Sequence, residues 1–377
     1  MCGVCGSREA MEVQSFASYP AYLVPLPLDL AAQVPRAPLE LVSCLVCGHF
    51  QVPFVDAEVQ RLVYEVYYKH YQVDTMESMV PAYRDPFQRV VEGAGLRKGR
   101  LLEIGCSSGA MIPFLSRFCT EYTGVDPSER IEIALARHPE HRFVRSYFPP
   151  DQPVGTFDVA VTQFNLEHIQ NVGVFVAALA AAVRVDGTLF VQVPDAGYFL
   201  RTAQPNFLAH EHVHYFRRAQ LTALLRAHGF EPETWGDEGA SLICAARRVD
   251  RVGVDSVVTD PLADAATLRA LDVNVPELPP GAVLYGVGLT LHWLLARSPS
   301  IGTGAVVVDD HPGYHGKGVP GYELPIEKPS PALLAGRDVV LTLNAIYHDR
   351  VLARLRTMGP IGRVHRIADG GWTTCSL

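Results

Sequence analysis

Between about residue 85 and residue 248, short apolar runs alternate with amphipathic segments, as strands and helices do in a parallel α/β sheet. The apolar runs predict strands that end at Glu103 and Asp126, followed by strands over 143–144, 157–161 and 188–193. Two further runs, 229–231 and 241–245, predict an antiparallel pair that closes a seven-stranded sheet.

A second α/β unit follows a polar, proline-containing connector over residues 249–280. Its predicted strand segments cover 282–288, 304–310, 338–343 and 363–367. Gly286 and Gly288 form only a weak dinucleotide signal, because no third glycine follows at the required spacing. We therefore expect a small Rossmann-like C-terminal domain that does not hold NAD.

Before residue 85 the pattern is different. A proline-rich stretch over 19–38 is followed, after Val52, by a tyrosine-rich helical segment. The chain thus predicts an α/β protein of three domains, with boundaries at 1–84, 85–248 and 249–377.

The end of the first predicted strand carries the most specific signal in the chain, an acidic residue followed by small residues. This turn contains Glu103, Gly105, Cys106, Ser107, Ser108 and Gly109. Small residues let a ligand lie against bare backbone at the mouth of a parallel sheet. The turn resembles motif I of class I methyltransferases, which bind S-adenosylmethionine (SAM), more than the tighter G-x-G-x-x-G of nicotinamide-binding proteins.

Asp126 supports the same cofactor, because an acid at the tip of the second strand is placed to hydrogen-bond ribose hydroxyls. We expect Pro127, Phe164 and Asn165 to border the same site. The alternative interpretation of the whole region is an ordinary strand-turn-helix with fortuitous glycines.

Four of the eight cysteines form two C-x-x-C-G knuckles, Cys2 with Cys5 and Cys44 with Cys47. Two such turns allow four thiolates to converge tetrahedrally, and the following glycine frees backbone N–H groups to face the sulfurs. They predict a structural zinc ion whose four positions are all filled by protein. The alternatives are a redox C-x-x-C, which would not need a twin, or unrelated thiols.

The composition narrows the class of partner. A net charge of −8 without a long basic run argues against nucleic acid, since phosphate binding needs a concentrated basic face. No apolar run is long enough to cross a membrane, and the N-terminus does not resemble a signal peptide. We therefore expect a cytoplasmic protein, without a membrane or nucleic-acid partner, that acts on a small molecule.

Two histidine-containing segments follow strands four and five, where a sheet of this kind presents its active site. The first contains His168, and the second contains Glu211 and His212. Histidine carries a proton near neutrality, and a neighbouring carboxylate can orient it or bind a polarised oxygen. Two alternatives remain: histidines at the surface or at the edge of the core without a catalytic role, or a metal site formed by His210, His212 and His214.

The order of these features resembles one family from end to end, the SAM-dependent sugar C-methyltransferases that make branched deoxysugars for antibiotics. The matching segments are both cysteine knuckles, 65–67, 103–109, 126–128, 168–169, 211–212, Phe216, 285–286, 309–310, 320–321 and 324–326. The resemblance implies a zinc module, a central SAM domain and a C-terminal domain that contacts the nucleotide sugar. It also implies that His212 removes the proton alpha to a ketone, while Glu211 and His168 hold the enediolate oxygens.

The residues expected to bind the substrate are Tyr67, Lys69, His210, Tyr285 and Asp309. Some positions depart from the family. Lys69 stands in place of the second tyrosine of a Tyr-x-Tyr pattern, and Ala209 stands where the family has tyrosine before Glu-His. Such changes suggest retained chemistry on an altered substrate, either another nucleotide sugar or a different activated carbonyl.

Two other functions remain open at this stage. One is an O- or N-methyltransferase of a small secondary metabolite on the same scaffold, which would need no alpha-proton removal. The other is a non-catalytic binding protein that kept the SAM fold, against which the intact Glu103, Asp126, Glu211 and His212 argue.

Overall fold

A computed structural model describes residues 1–70, 84–96, 98–202, 204–205, 208–236, 240–250, 257, 259–273, 275, 277–368 and 371–377. Residues 71–83, which belong to the predicted tyrosine-rich segment, lie outside the described residues.

The central sheet has seven strands in the order β11-β12-β9-β8-β5-β6-β7. Its strands are β5 (Gly99–Ile104), β6 (Cys119–Asp126), β7 (Arg142–Arg145), β8 (Phe157–Gln163), β9 (Val183–Pro194), β11 (Phe230–Gly236) and β12 (Ser241–Arg248). The first five are parallel to one another, whereas β12 pairs antiparallel with both β9 and β11. The predicted seven-stranded sheet with its antiparallel closing pair is therefore confirmed.

Helices cover both faces of this sheet, as its apolar strands require. They are α3 (residues 84–93), α4 (Ile112–Leu115), α5 (Ile131–Arg137), α6 (Val172–Ala182), α7 (Ala196–Arg201) and α8 (Arg218–Ala227). One buried cluster joins α6 and α8 to the strands through Val176 and Leu221, and the other joins α3 and α4 through Phe87 and Ile112. Strand β5 lies between β8 and β6, so successive strands are added first on one side of β5 and then on the other. In open parallel sheets, ligands bind in the crevice at such a switch point.

The N-terminal sheet has four strands in the order β1-β3-β4-β10. Its strands are β1 (Ala10–Pro20), β3 (Arg36–Cys44), β4 (Phe50–Gln51) and β10 (His214–Tyr215). Strand β10 belongs by sequence to the central domain, yet it pairs antiparallel with β4. The segment that carries Glu211 and His212 is thereby attached to the N-terminal module.

The connections of the N-terminal module are short. They comprise β2 (Leu26–Pro27), α1 (Leu28–Ala32), α2 (Ala57–Arg61), a π-helix over Leu62–Tyr67 and a 3₁₀ turn over Tyr68–His70. Asp56 caps α2 by accepting hydrogen bonds from the backbone of Glu58 and Val59. The helical segment expected after Val52 therefore begins at an Asx cap.

The C-terminal sheet has six strands in the order β16-β14-β13-β17-β18-β19. Its elements are α9 (Pro261–Val273), β13 (Val283–Tyr285), α10 (Leu289–Arg297), β14 (Val306–Val308), β15 (Lys317–Gly318), β16 (Ile326–Glu327), α11 (Pro331–Leu334), β17 (Val339–Leu341), α12 (His348–Leu355), β18 (Arg363–Ala368) and β19 (Gly371–Ser376). Strands β16 and β19 were not predicted, because the first has two residues and the second follows a short hairpin. Strand β15 belongs to neither large sheet and pairs with β2.

The predicted connector over 249–280 contains a helix, α9, which packs against β1 of the N-terminal sheet. One hydrophobic cluster contains residues from all three predicted domains, including Phe16, Tyr215 and Trp293. The N-terminal module and the C-terminal sheet therefore share a core. Among the described residues, no helix has the length and apolar character that a membrane crossing requires.

Candidate active site

The loop after β5 turns sharply because three of its residues adopt left-handed backbone conformations. These are Gly105 (φ 79°), Ser107 (φ 47°) and Gly109 (φ 78°). Glycine adopts this conformation without steric cost, whereas Ser107 does so against its preference and needs support from its surroundings. The turn leaves backbone exposed at the carboxyl end of the central strand.

Asp126, at the end of β6, provides that support. Its Oδ2 accepts a hydrogen bond from the backbone N–H of Ser107 at 2.9 Å. Its Oδ1 accepts from the backbone and the hydroxyl of Ser128 at 2.8 and 2.5 Å. The next residue, Pro127, is exposed at the rim of the loop. A buried carboxylate thus ties together the loops of two adjacent strands.

Glu103 and Cys106 have side chains in the sheet interior. Burial raises the pKa of Glu103 to about 7, while a hydrogen bond from the Tyr122 hydroxyl opposes this rise. The thiol of Cys106 faces Gly124, where an added Cβ would lie 2.7 Å from the sulfur. Burial raises the pKa of this thiol, so it is a neutral packing group and only its backbone borders the cofactor loop.

Asn165 lies on the other side of the loop, just after β8. Its side-chain amide donates to the carbonyl oxygen of Ile104 at 2.8 Å and to the Thr162 hydroxyl at 3.2 Å. A Cβ on Gly105 would lie 2.3 Å from the Asn165 amide nitrogen. Phe164, the preceding residue, has a left-handed backbone (φ 52°) that turns the chain toward this loop.

The structure brings His168, Glu211 and His212 together from two distant segments. The rings of His168 and His212 are 4.9 Å apart in an edge-to-face arrangement. Nδ1 of His168 lies 2.9 Å from the carbonyl oxygen of Glu211. A backbone hydrogen bond of 2.7 Å from Val213 to Glu167 fixes the two segments against each other.

Burial favours the neutral form of the groups in this cluster. It raises the pKa of Glu211 to about 7. It lowers the pKa of His168 to about 3, with a smaller contribution from His212 and an opposing one from the Glu211 carbonyl. The cluster therefore holds a carboxyl group that is partly protonated near neutrality beside an imidazole that is uncharged.

Three further side chains of this cluster were missed from the sequence. Glu167 is 2% exposed. One of its carboxylate oxygens, one ring nitrogen of His168 and one ring nitrogen of His212 lie within 4.8 Å of one another. The Tyr64 hydroxyl lies 3.3 Å from Nδ1 of His168. Tyr68 lies near the carboxylates of Glu211 and Asp126, both of which raise the pKa of its hydroxyl beyond the effect of burial.

Two features of the sequence could have indicated these residues. Glu167 directly precedes a candidate catalytic histidine, and Tyr64 and Tyr68 are four positions apart on a helical segment, a spacing that places both on one face.

The two predicted substrate residues of this segment lie elsewhere. Tyr67 is 4% exposed and stacks on Tyr22 with ring centroids 5.6 Å apart, inside a hydrophobic cluster. Lys69 is exposed. The packing of this segment separates the tyrosines, since the Tyr64 hydroxyl lies beside His168 whereas the Tyr67 ring packs on Tyr22.

The histidine triplet does not form a metal site among the described residues, because its three rings have separate environments. Nε2 of His210 lies 3.3 Å from the carbonyl oxygen of Tyr19, so this buried residue contacts the N-terminal sheet rather than the cluster. Nδ1 of His214 lies 3.0 Å from Nε2 of His49. Only His212 faces His168.

The C-terminal candidates repeat the arrangement seen at Asp126. Asp309, after β14, accepts a hydrogen bond of 2.8 Å from the backbone of Val287 in the loop after β13. The Tyr285 hydroxyl donates to Asp310 at 2.8 Å and is otherwise buried. The carboxylate of Asp309 therefore stabilises the Gly286–Gly288 turn.

The four cysteines of the two knuckles converge. Their sulfur atoms all lie within 4.8 Å of one another, with 3.6 Å between Cys2 and Cys47 and between Cys5 and Cys44. Tetrahedral zinc with Zn–S bonds of about 2.3 Å requires sulfurs about 3.8 Å apart, so this donor set fits the ion. Gly6 and Gly48, the glycines that follow the two knuckles, have positive φ (74° and 67°), a conformation that glycine adopts without steric cost.

Comparisons with known proteins identify the family. A model of the methyltransferase domain matches residues 76–234. The C-methyltransferase NovU of Streptomyces niveus is 26% identical over 242 residues, which cover 60% of this chain and 55% of NovU. A ubiquinone biosynthesis O-methyltransferase of Mesorhizobium japonicum is 30% identical over 188 residues, which cover 46% of this chain and 70% of that protein.

Among solved structures, the 1,6-didemethyltoxoflavin-N1-methyltransferase of Burkholderia thailandensis has a TM-score of 0.42 and 22% sequence identity, covering 54% of this chain and 96% of its own. The match to NovU spans about half of that protein's length, whereas the match to the O-methyltransferase spans more than two thirds. The matched region includes the loop after β5, Asp126 and the His168 segment. The chain belongs to the SAM-dependent methyltransferases.

Proposed function

We propose that the protein transfers a methyl group from SAM to a carbon atom alpha to a carbonyl, most specifically that of a nucleotide-linked ketosugar. The observation that carries this proposal is the cluster of His168, Glu211 and His212 at the carboxyl ends of β8 and β9. Carbon is not nucleophilic until it is deprotonated, so this reaction needs a base beside groups that stabilise an oxyanion. The similarity to a C-methyltransferase supports the same chemistry.

The cofactor site is assigned to the loop after β5 and its neighbours. SAM supplies an electrophilic methyl group on a sulfonium sulfur. The left-handed turn of Gly105, Ser107 and Gly109 offers bare backbone, and Asp126 offers a carboxylate for ribose hydroxyls. Asn165 bounds the loop on the β8 side, where it excludes any side chain larger than glycine at position 105.

The protein's own groups then divide the proton chemistry. His212 removes the alpha proton, and the electron pair of the broken C–H bond moves toward the carbonyl oxygen. Glu211, which burial keeps partly protonated, donates a hydrogen bond to an enediolate oxygen. The new carbon nucleophile would then bond to the methyl carbon while the bond from that carbon to the sulfonium sulfur breaks and leaves its electron pair on sulfur, and the carbonyl re-forms. Tyr64 and Tyr68 close the cluster on the side of the helical segment.

We propose that the C-terminal sheet recognises the nucleotide part of the substrate. Its loop after β13 and the acid after β14 repeat the arrangement of loop and acid found at the cofactor site. Tyr285 and Asp309 are engaged in hydrogen bonds within the sheet, so their role there is to shape the loop. We also propose that Cys2, Cys5, Cys44 and Cys47 hold one structural zinc ion, as the sulfur separations support.

The experiment is product analysis with a matched pair of variants. Wild-type enzyme, SAM and a panel of nucleotide ketosugars should give a product whose new methyl group is bonded to carbon, as NMR of the product would determine. His212→Ala should bind SAM normally and lose turnover by about 10²–10⁴-fold, the usual contribution of a general base. His228→Ala, at the end of α8 and away from the cluster, should behave as wild type.

A second measurement tests the proton removal directly. With a non-reactive SAM analogue and substrate in D₂O, the wild-type enzyme should exchange the alpha proton, and His212→Ala should not. Unchanged methylation by His212→Ala would reject its role as the base.

The second candidate function is O- or N-methylation of a small secondary metabolite, and the similarity to ubiquinone biosynthesis O-methyltransferases favours the oxygen. A product methylated on oxygen or nitrogen, formed without deuterium uptake at carbon, would establish that function instead.

A further inference from the structure

The hydrogen bonding of His168 fixes which of its ring nitrogens carries the proton. Nδ1 lies 2.9 Å from the backbone carbonyl oxygen of Glu211, and a carbonyl oxygen can only accept. Nδ1 therefore carries the hydrogen, and the Tyr64 hydroxyl oxygen, 3.3 Å from the same nitrogen, lies beside this bond. In the neutral ring Nε2 is then an acceptor, so it cannot donate a hydrogen bond to a substrate oxygen unless it first receives a proton.

Glu167 is the group placed to supply that proton. Its Oε1 lies 3.9 Å from Nε2 of His168, and its side chain is 2% exposed. Its Oε2 is buried and has no hydrogen-bond partner among the described residues. Burial raises the pKa of this carboxyl to about 8, and the nearby charge of Glu211 adds to the rise. At neutral pH the transferable proton of the pair therefore resides on Glu167, and it moves to Nε2 only when negative charge beside His168 raises the pKa of the imidazole from its resting value of about 3.

We propose that Glu167 is the proton donor to His168: as negative charge develops on the substrate oxygen, the Glu167 carboxyl transfers its proton to Nε2 of His168. The O–H bond of Glu167 breaks, an N–H bond forms on Nε2, and the positive charge of the resulting imidazolium stabilises the oxyanion. When the carbon has been methylated and the carbonyl re-forms, the proton returns to Glu167. This role rests on the proposed carbon methylation.

The groups around the pair are consistent with one shuttled proton. Tyr64 and Tyr68 approach from the helical segment, and burial raises the pKa of both hydroxyls, so both are neutral. Glu211 and His212 approach from the segment before β10. His212 receives the substrate's proton, so the proton that reaches His168 must have another source. Glu167 is the buried acid nearest to Nε2 among the described residues.

The test compares Glu167→Gln with the same substitution at an exposed glutamate that also lies beside a histidine, Glu140→Gln. Glutamine keeps the shape of the side chain but has no acidic proton. We expect Glu167→Gln to bind SAM with wild-type affinity and to lose kcat by about 10²–10⁴-fold. The part of the alkaline decline of kcat near pH 8, where wild-type Glu167 loses its proton, should disappear in the variant, whereas the decline near pH 7 that accompanies ionisation of Glu211 should remain. Glu140→Gln removes an exposed carboxylate that lies 3.5 Å from His141, and it should change neither kcat nor its pH profile.

A double variant separates proton donation from a purely structural role. If Glu167 acts through His168, then Glu167→Gln combined with His168→Gln should be no slower than the slower single variant. Nitrogen-15 NMR of labelled histidine should find His168 with hydrogen on Nδ1 at pH 7. Hydrogen on Nε2 instead, additive losses, or loss of SAM binding in Glu167→Gln would overturn the proposal. A second result would also overturn it: a chelator abolishes activity and added zinc restores it, while Cys2, Cys5, Cys44 and Cys47 keep their zinc ion throughout. The cluster around His168 would then bind a cation.

The two proposals fail in different ways. A wild-type product methylated on oxygen or nitrogen removes the proposed function. A carbon-methylated product, together with an unchanged alkaline decline in Glu167→Gln, removes only the role of Glu167.

Discussion

At the residue scale, the cofactor loop depends on a few side chains that have little freedom to change. Gly105 needs a positive φ and has no room for a Cβ beside Asn165. Asp126 holds the backbone of Ser107 in an unfavourable conformation. The same carboxylate is the one that we propose binds the ribose, so the residue shapes the loop and is also the proposed ligand-binding group.

The first prediction concerns Asp126→Ala, which removes a charged hydrogen-bond acceptor. Hydrogen bonds to charged groups contribute roughly 1.5–3 kcal/mol. SAM affinity should therefore fall by about ten-fold to more than a hundred-fold in calorimetry. Gly105→Val should be worse, because its side chain meets Asn165 as well as the strained backbone. Glu129→Ala, nearby on the surface, is the control, and unchanged SAM binding in both site variants would remove Asp126 and Gly105 from the cofactor site.

The second prediction is the pH dependence of stability. The pKa values of Glu167 and Glu211 are raised to about 8 and about 7 in the folded protein, well above the value near 4.3 of an unfolded chain. The folded state then binds protons more tightly, so this stabilisation is complete below about pH 4 and is lost as the pH rises through 7 and 8. Glutamine does not ionise, so Glu167→Gln should not show the part of the stability loss that comes from ionisation of Glu167.

Thermal melting at pH 5.5 and pH 9 would check this sign. The Tm of Glu167→Gln minus that of wild type should be larger at pH 9 than at pH 5.5. The same difference for the surface variant Glu140→Gln should not change between the two pH values. A Tm difference between Glu167→Gln and wild type that is the same at both pH values would contradict the burial of an ionisable acid there.

At the element scale, the second cysteine knuckle is fastened to the central domain. The side chain of Gln220, on α8, donates to the carbonyl oxygen of Cys47 at 2.7 Å, and Arg217 donates to that of Gly48 at 2.6 Å. Strand β4, which follows this knuckle, pairs with β10, directly after His212. The proposed zinc site therefore supports the segment that carries His212, the proposed base.

The third prediction follows from those contacts. Cys44→Ser should reduce the zinc content measured by mass spectrometry, because metal binding at such a site is coupled to folding. It should also lower turnover by loosening β10, even though Cys44 lies outside the active site. Cys119→Ser, whose thiol is outside the four-cysteine group, is the control. A fully active Cys44→Ser protein without zinc would show that the ion does not support the His212 segment.

At the scale of the whole molecule, the three sequence-defined domains are joined by a common core. Trp293, on α10 of the C-terminal sheet, is completely buried in the cluster that also contains Phe16 of β1. Strands β2 and β15 pair across the same junction. The N-terminal module therefore packs against both of the other sheets.

The fourth prediction tests this shared core. Trp293→Ala should destabilise the protein by about 3–5 kcal/mol, the typical cost of truncating a large buried side chain. Urea unfolding should report this loss both in the C-terminal sheet and in the N-terminal module. Ile346→Ala, at an exposed position, should leave the unfolding midpoint near that of wild type. Unfolding of the C-terminal sheet alone would mean that the modules are energetically independent.

The sequence by itself determined features that depend on local backbone and periodicity. The seven-stranded sheet, its antiparallel closing pair and the SAM-binding family were predicted correctly, because strand patterns and the turn after Glu103 are written in contiguous residues. The cysteine knuckles and the catalytic pair Glu211–His212 were also visible as short motifs, and their roles stay predictions.

Only the tertiary structure decided which side chains meet. The resemblance placed Tyr67 near the substrate, whereas the structure places Tyr64 beside His168 and stacks Tyr67 on Tyr22, because the packing of the helical segment decides which tyrosine meets His168. Glu167 became a candidate only when His168 was found to donate its Nδ1 hydrogen to a carbonyl from a segment more than forty residues away. Proton positions, burial and pKa depend on distances between segments that the chain brings together only on folding, and for that reason they had to be found in the structure.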